Sequence, residues 1–294
     1  MVRSPIIYTD LDGTLLDHYS YDLGPAQPLL QRLQAQGIPV IPCTSKTRAE
    51  MVSICQQTAI QGPFIVENGS AVWVPEDWGL SRPAGSLQED GYWCHVLGKS
   101  RGYIKGQLAA LDGIWRHRFH ALSDMTPRQV MAVTGLGEKA AQGAKSRHFS
   151  ETLLWLGSAA DRREFAELVE AMGLQILQGG RFLHVLAGGG KGHAMQWLHN
   201  RIVEEIHPAA ESIAAGDAEN DLALLEGADY ALVVRSPAHD APVPRRKEGV
   251  LVSTAQGPAG WAEGIEKLIT NLVEEDRDGR LLSERNHYYT AQSR

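Results

Sequence analysis

The sequence predicts an α/β fold, a parallel sheet covered by helices on both faces and interrupted by an inserted α/β unit. Short apolar runs alternate with helix-period segments near the start, and the same alternation returns after about residue 188. Between them, from about 82 to 187, turn residues, tryptophans and basic residues are mixed, with a helical pattern over 161–172. We therefore expect residues 1–81 to form the first part of a core domain, 82–187 an inserted α/β cap, and 188–294 the second part of the core. A polar tail begins at about 276.

The first strand is expected over 5–9, where a β-prone run stops at Asp10-Leu11-Asp12-Gly13-Thr14 and Asp-Gly signals a turn. Leu29, Leu30 and Leu33 then follow helical spacing, and Gly37 sits where a terminating glycine belongs. Residues 38–43 are apolar and lead into Thr44-Ser45-Lys46-Thr47, although Pro39 and Pro42 argue against a central strand. A helix over 48–58 and a strand over 63–66, ending in Glu67-Asn68-Gly69, continue the alternation. After Gly188-Gly189-Gly190-Lys191 comes a helix carrying Ala194, Trp197, Leu198 and Ile202, then a strand over 212–215 into Gly216-Asp217. A helix over 221–227, a buried strand over 230–234 and an amphipathic helix bearing Trp261, Ile265, Leu268, Ile269 and Leu272 complete the core.

Composition excludes several classes. Of the 294 residues, 43% are hydrophobic and 21% charged, ordinary globular usage that rules out disorder over most of the chain. A net charge of −7 has the wrong sign for a broad nucleic-acid-binding face. No 18 apolar residues run together and no signal-length apolar stretch opens the chain, so we expect no membrane association and a cytoplasmic location. Cys43, Cys55 and Cys94 include no Cys-x-x-Cys pair, which points away from disulfides and structural zinc.

In open parallel sheets, ligands bind beyond the carboxyl ends of the strands. Asp10-x-Asp12, Thr44-Ser45-Lys46, Lys191 and Gly216-Asp217-x-x-Asn220-Asp221 all fall at such ends. Carboxylates gathered there repel one another unless a divalent cation sits among them, and oxygen donors without histidine or cysteine favour magnesium. Magnesium commonly serves phosphate chemistry. Asp10 is then the candidate nucleophile, and Asp12 the group that protonates the leaving alkoxide and later activates water. Thr44 would bond a phosphoryl oxygen, with Ser45 competing for that role, and Lys191 would neutralise it. Asp10, Asp12 and Asp217 are candidate metal ligands. Asp221 reads equally as ligand or as a group behind the ligands, where Asn220 also belongs.

These residues, in this order, resemble the four motifs of haloacid dehalogenase superfamily phosphatases. The resemblance implies a Rossmann-like core, an α/β cap between the second and third motifs, and magnesium as cofactor. Pro42-Cys43-Thr44-Ser45-Lys46-Thr47-Arg48, Val66-Glu67-Asn68-Gly69, Thr134-Gly135-Leu136, Phe149-Ser150-Glu151 and Gly179-Gly180-Arg181-Phe182-Leu183-His184 are further similar to mannosyl-3-phosphoglycerate phosphatases. That family releases mannosylglycerate, a compatible solute, and phosphate. The chain departs from it at Thr152, where proline tends to follow Ser-Glu, and at Gly190, where an acidic residue often precedes the lysine. Lys46, Arg147 and Arg181 are candidates to clamp a substrate carboxylate or hydroxyls, and Glu67 and Asn68 to bind sugar hydroxyls.

Other readings are weaker. The Asp10 loop lacks the glycine spacing of a calcium hand, and the glycine run before Lys191 lacks the first glycine and the hydroxyl residue of a nucleotide P-loop. A glucosyl-3-phosphoglycerate or other sugar-phosphate phosphatase, a phosphosugar mutase and a nonenzymatic sugar-phosphate sensor share the same residues and stay open at this stage.

Overall fold

The computed structural model of the protein describes residues 4–58, 60–179 and 182–272. Arg181 and the polar tail expected from about 276 lie outside the described residues.

The expected parallel sheet is present. Strand β1 (Ser4–Thr9) is followed by helix α1 (Gln27–Ala35), β2 (Val40–Pro42) and α2 (Arg48–Gln57). After the inserted segment come α8 (Lys191–Glu205), β11 (Ala210–Gly216), α9 (Leu222–Gly227), β12 (Tyr230–Arg235), β13 (Val250–Gln256) and α10 (257–272). The strand order is β13-β12-β11-β1-β2, with every neighbouring pair parallel. Alternation in β1 sends Ile7 to one face, among Leu29, Leu30, Leu33, Trp261 and Ile265 of α1 and α10. It sends Ile6 and Tyr8 to the other, among Ala194, Leu198, Ile202 and Leu225 of α8 and α9. The two prolines are accommodated because β2 is an edge strand, where a missing donor on the open side costs nothing. β13 has no counterpart in the sequence reading, since its residues alternate in exposure with serine and threonine among them.

β3 (Phe64–Val66) meets the parallel sheet only through a bridge between Cys43 and Ile65, then turns back into an antiparallel sheet with β4 (Ala71–Pro75), β6 (Tyr92–Val96) and β5 (Leu87–Glu89). Residues 92–96, expected within the cap, therefore hydrogen-bond to β4 of the first segment, and 87–89 extend that sheet through β6. The remaining insert holds α3 (Arg101–Ala109), α4 (Gly113–Arg116), β7 (Phe119–Ala121), α5 (Pro127–Thr134), α6 (Glu138–Lys145), β8 (Ser150–Trp155), α7 (Ala159–Ala171), β9 (Gln175–Gly179) and β10 (Phe182–Leu186). Its antiparallel sheet runs β7-β8-β10-β9, and Ile104, Leu108, Phe165 and Val169 pack on Leu153, Leu183 and Val185. No described helix is long and apolar enough to cross a membrane.

Candidate active site

Three strand ends deliver the site. Asp10 follows β1, Thr44 follows β2 by one residue, and Asp217 follows β11. The Asp10 backbone N–H donates to Ala215 O at 2.9 Å, and Thr9 Oγ1 both donates to Asp10 O and accepts from Trp261 Nε1 of α10 at 3.0 Å. The backbone carrying Asp10 is thus tied to both its neighbouring strand and the last described helix.

Lys191 is the centre of the charge arrangement. It opens α8, and its buried Nζ donates to Asp10 Oδ1 and Asp221 Oδ1, each at 2.6 Å. Asp221 Oδ2 accepts from the backbone N–H groups of Asp217 and Ala218 at 3.2 and 3.1 Å, fixing the loop that carries Asp217. Asp217 Oδ1 accepts from Thr14 Oγ1 at 3.0 Å. Burial opposes charge on Lys191, yet the carboxylates of Asp10 and Asp221 more than offset it and hold the pKa above the ordinary lysine value. Burial lifts the Asp10 carboxyl well above the usual range against the pull of Lys191, and Asp221, Asp217 and Asp12 push the same way. Asp217 is raised by burial and then by Asp221.

Asp10, Asp217 and Asp221 offer oxygens within 4.8 Å of one another. Three buried carboxylates facing one ammonium leave uncompensated negative charge, and an all-oxygen donor set suits a hard divalent cation. Gly13 makes the close approach possible: at φ +87°, a Cβ there would stand 2.5 Å from Asp217 Oδ2. Asp12, also expected among the ligands, is directed elsewhere. Its Oδ2 accepts from Lys46 Nζ at 2.7 Å, while Oδ1 is buried with no hydrogen-bond partner.

The remaining expected residues divide. Thr44 is buried, its Oγ1 accepts from Lys46 N at 3.2 Å, and its backbone N–H and C=O bond Ile65 O and Asn68 N. Ser45 O accepts from Arg147 Nη1 at 3.0 Å, and Asn220 Nδ2 donates to Asn68 Oδ1 at 3.4 Å. Glu67 is wholly engaged with the insert: its two oxygens accept from the His148 and Phe149 backbone N–H groups and from Ser150 Oγ, at 2.8, 3.0 and 2.5 Å. Arg147 is buried and also donates to Ser150 Oγ. Glu67 and Arg147 therefore strap the insert to the Thr44–Lys46 loop. The glycine run before Lys191 allows tight packing, since a Cβ on Gly69 would fall 2.2 Å from the carbonyl carbon of Gly190. The sequence reading missed His239, whose Nε2 lies 3.3 Å from Asp217 Oδ2, and nothing in the spacing of its loop marks it.

Comparison with known proteins agrees with this architecture. A haloacid dehalogenase-like hydrolase family model matches residues 7–82, and a sucrose-6F-phosphate phosphohydrolase model matches 163–268. Among solved structures, a Thermoplasma acidophilum protein superposes with a TM-score of 0.63 at 15% identity, covering 90% of this chain and 98% of its own. A haloacid dehalogenase-like hydrolase from Bacteroides thetaiotaomicron gives 0.62 at 16%, covering 90% and 100%. The sucrose-phosphatase of Synechocystis sp. PCC6803, solved with sucrose and phosphate, gives 0.60 at 14%, covering 90% and 98%. With the fold shared along nearly the full chain, and one family model taking in the Asp10 and Thr44 loops while the other takes in Lys191 and Asp217, the chain is a phosphatase of the haloacid dehalogenase superfamily.

Proposed function

We propose that the protein is a magnesium-dependent phosphomonoester hydrolase acting on phosphorylated sugars, with mannosyl-3-phosphoglycerate as its substrate and mannosylglycerate and phosphate as products. The observation that carries the chemistry is the buried Lys191 ammonium shared by Asp10 and Asp221, with Asp217 in the same cluster. The sucrose-6F-phosphate phosphohydrolase match supports a sugar ester, and the motifs shared with mannosyl-3-phosphoglycerate phosphatases support the particular one.

Asp10, Asp217 and Asp221 are the residues to hold the ion. When bound, magnesium supplies charge screening between the phosphate and these carboxylates. Lys191 holds Asp10 Oδ1, which leaves Oδ2 to attack phosphorus. An acyl-phosphate bond forms as the ester P–O bond breaks, and Asp12 gives its proton to the departing alkoxide, the C3 oxygen of the glycerate that carries the sugar. Asp12 then takes a proton from water, whose oxygen attacks the same phosphorus, and the Asp10 carboxylate is regenerated as inorganic phosphate leaves. Thr44 and Lys191 stabilise the phosphoryl oxygens throughout. The insert, held beside the Thr44 loop by Glu67 and Arg147, limits stray water.

Asp10→Asn is expected to lower phosphate release by at least about 10,000-fold while the circular dichroism spectrum stays that of the folded protein. Asp12→Asn is expected to lose most on esters with poor leaving groups. Near-normal turnover by Asp10→Asn removes the nucleophile and the proposal with it.

A further inference from the structure

The loop after the Asp12 turn carries two exposed aromatic rings that the mechanism above does not use. Leu15 and Leu16 anchor its start in the core and Leu23 its end, yet Tyr19 is 71% exposed and Tyr21 50% exposed. The loop is nonetheless well defined. Asp17 Oδ1 accepts from the backbone N–H groups of Tyr19 and Ser20 at 2.9 and 2.8 Å and from Ser20 Oγ. Asp17 N–H donates to Asp22 O, and Tyr21 N–H donates to Asp17 O. This closure places Tyr21 at φ +59°, a left-handed conformation that a bulky side chain rarely adopts and that costs of order 1 kcal/mol or more.

What the strained turn achieves is the position of the Tyr21 ring. Lys46 Nζ lies 5.0 Å from the ring centroid, and the same Nζ is 2.7 Å from Asp12 Oδ2. Through Lys46, Tyr21 therefore stands one side chain away from Asp12, the group that protonates the leaving alkoxide and so meets the organic half of the ester. Half of the residue is open to solvent, and an aromatic face with a polar tip suits a ring that is apolar on its C–H face and polar at its hydroxyls.

We propose that Tyr21 is the platform for the sugar of the leaving group, with Lys46 beside it to receive an anionic or hydroxyl substituent. This rests on the reading of the chain as a sugar-phosphate phosphatase and adds a subsite to it. A blander role has a different signature. Were Tyr21 only a brace for Lys46, its loss would disturb Lys46 and hence Asp12, and would slow every phosphate ester to the same degree. A sugar platform acts only when a sugar is present.

The test compares kcat and KM for mannosyl-3-phosphoglycerate, glucosyl-3-phosphoglycerate and unglycosylated 3-phosphoglycerate in the wild type, Tyr21→Ala and Tyr21→Phe, each checked for folding by thermal melting. The expected result is that Tyr21→Ala cuts the preference for glycosylated over unglycosylated ester roughly 10-fold, through KM, while Tyr21→Phe retains it. An equal loss on all three esters overturns the platform and leaves the phosphatase assignment standing. A wild type that hydrolyses 3-phosphoglycerate but neither glycosylated ester overturns both the platform and the sugar-phosphate reading.

Discussion

His184 lies on β10 with its Nδ1 3.3 Å from Thr152 Oγ1 on β8, the residue directly opposite in the strand register. Burial first, and then the positive charges of Arg147 and Lys191, push its pKa from 6.5 down to about 3. The folded protein therefore keeps a neutral imidazole over a range where the unfolded chain binds a proton. Stability on this account is full above pH 6.5 and falls by about 1.4 kcal/mol per pH unit as the pH drops toward 3. Replacing the imidazole, as in His184→Gln, should flatten the acid side of a stability profile measured by urea melts from pH 7 to pH 4. Parallel profiles for the two proteins count against a buried neutral histidine. The contrast with Asp10 shows which residues a sequence reveals. Asp10 was legible because its chemistry needs one residue type beside a turn at a strand end. The Thr152–His184 pair exists only through a strand register that no local pattern specifies.

At the scale of elements, the turn after β3 does more than end a strand. Glu67 and Asn68 both have positive φ, 49° and 57°, and both are buried. That backbone brings Glu67 against residues 148–150 while its N–H reaches Lys46 O and that of Asn68 reaches Thr44 O. Glu67→Ala strips the acceptors from the buried Phe149 N–H and Ser150 hydroxyl and from the more open His148 N–H, and at roughly 1–3 kcal/mol for each buried group left unsatisfied it should cost about 2 kcal/mol or more. Urea melts give the energy, and hydrogen exchange at the His148 and Phe149 amides gives the location. Unchanged protection there means the strap is not holding. Asn-Gly after a strand gives a turn from sequence, but not a partner 81 to 83 residues away. The same limit explains β6, whose sheet partner β4 lies across a turn-rich stretch, and β5, which joins the sheet through β6. The helices were more legible: Thr47 with Glu50 forms a capping box at the start of α2, and Gly37 has φ +69° just past α1.

For the whole molecule, the site is also a closure of the chain, because Lys191 meets Asp10 across 181 residues and Trp261 braces Thr9 across 252. The order of the four motifs made that meeting legible, since a parallel sheet collects its strand ends on one side. Its energetic consequence is testable. Asp10, Asp217 and Asp221 come together only in the folded chain, so a divalent cation they hold stabilises the native state by about 2.7 kcal/mol at 100 times its Kd. In a protein of 294 residues that corresponds to a rise in Tm of about 4 to 5 °C. Magnesium added to chelator-treated protein should give that rise. Asp217→Asn should respond far less, and without the ion it should melt higher than chelator-treated wild type, because it relieves repulsion among three buried carboxylates and can still accept from Thr14. Magnesium would then reverse the order of the two proteins. Identical melting of the wild type with and without magnesium would falsify a divalent-cation site at these three residues, and it would do so whichever phosphate ester the enzyme hydrolyses.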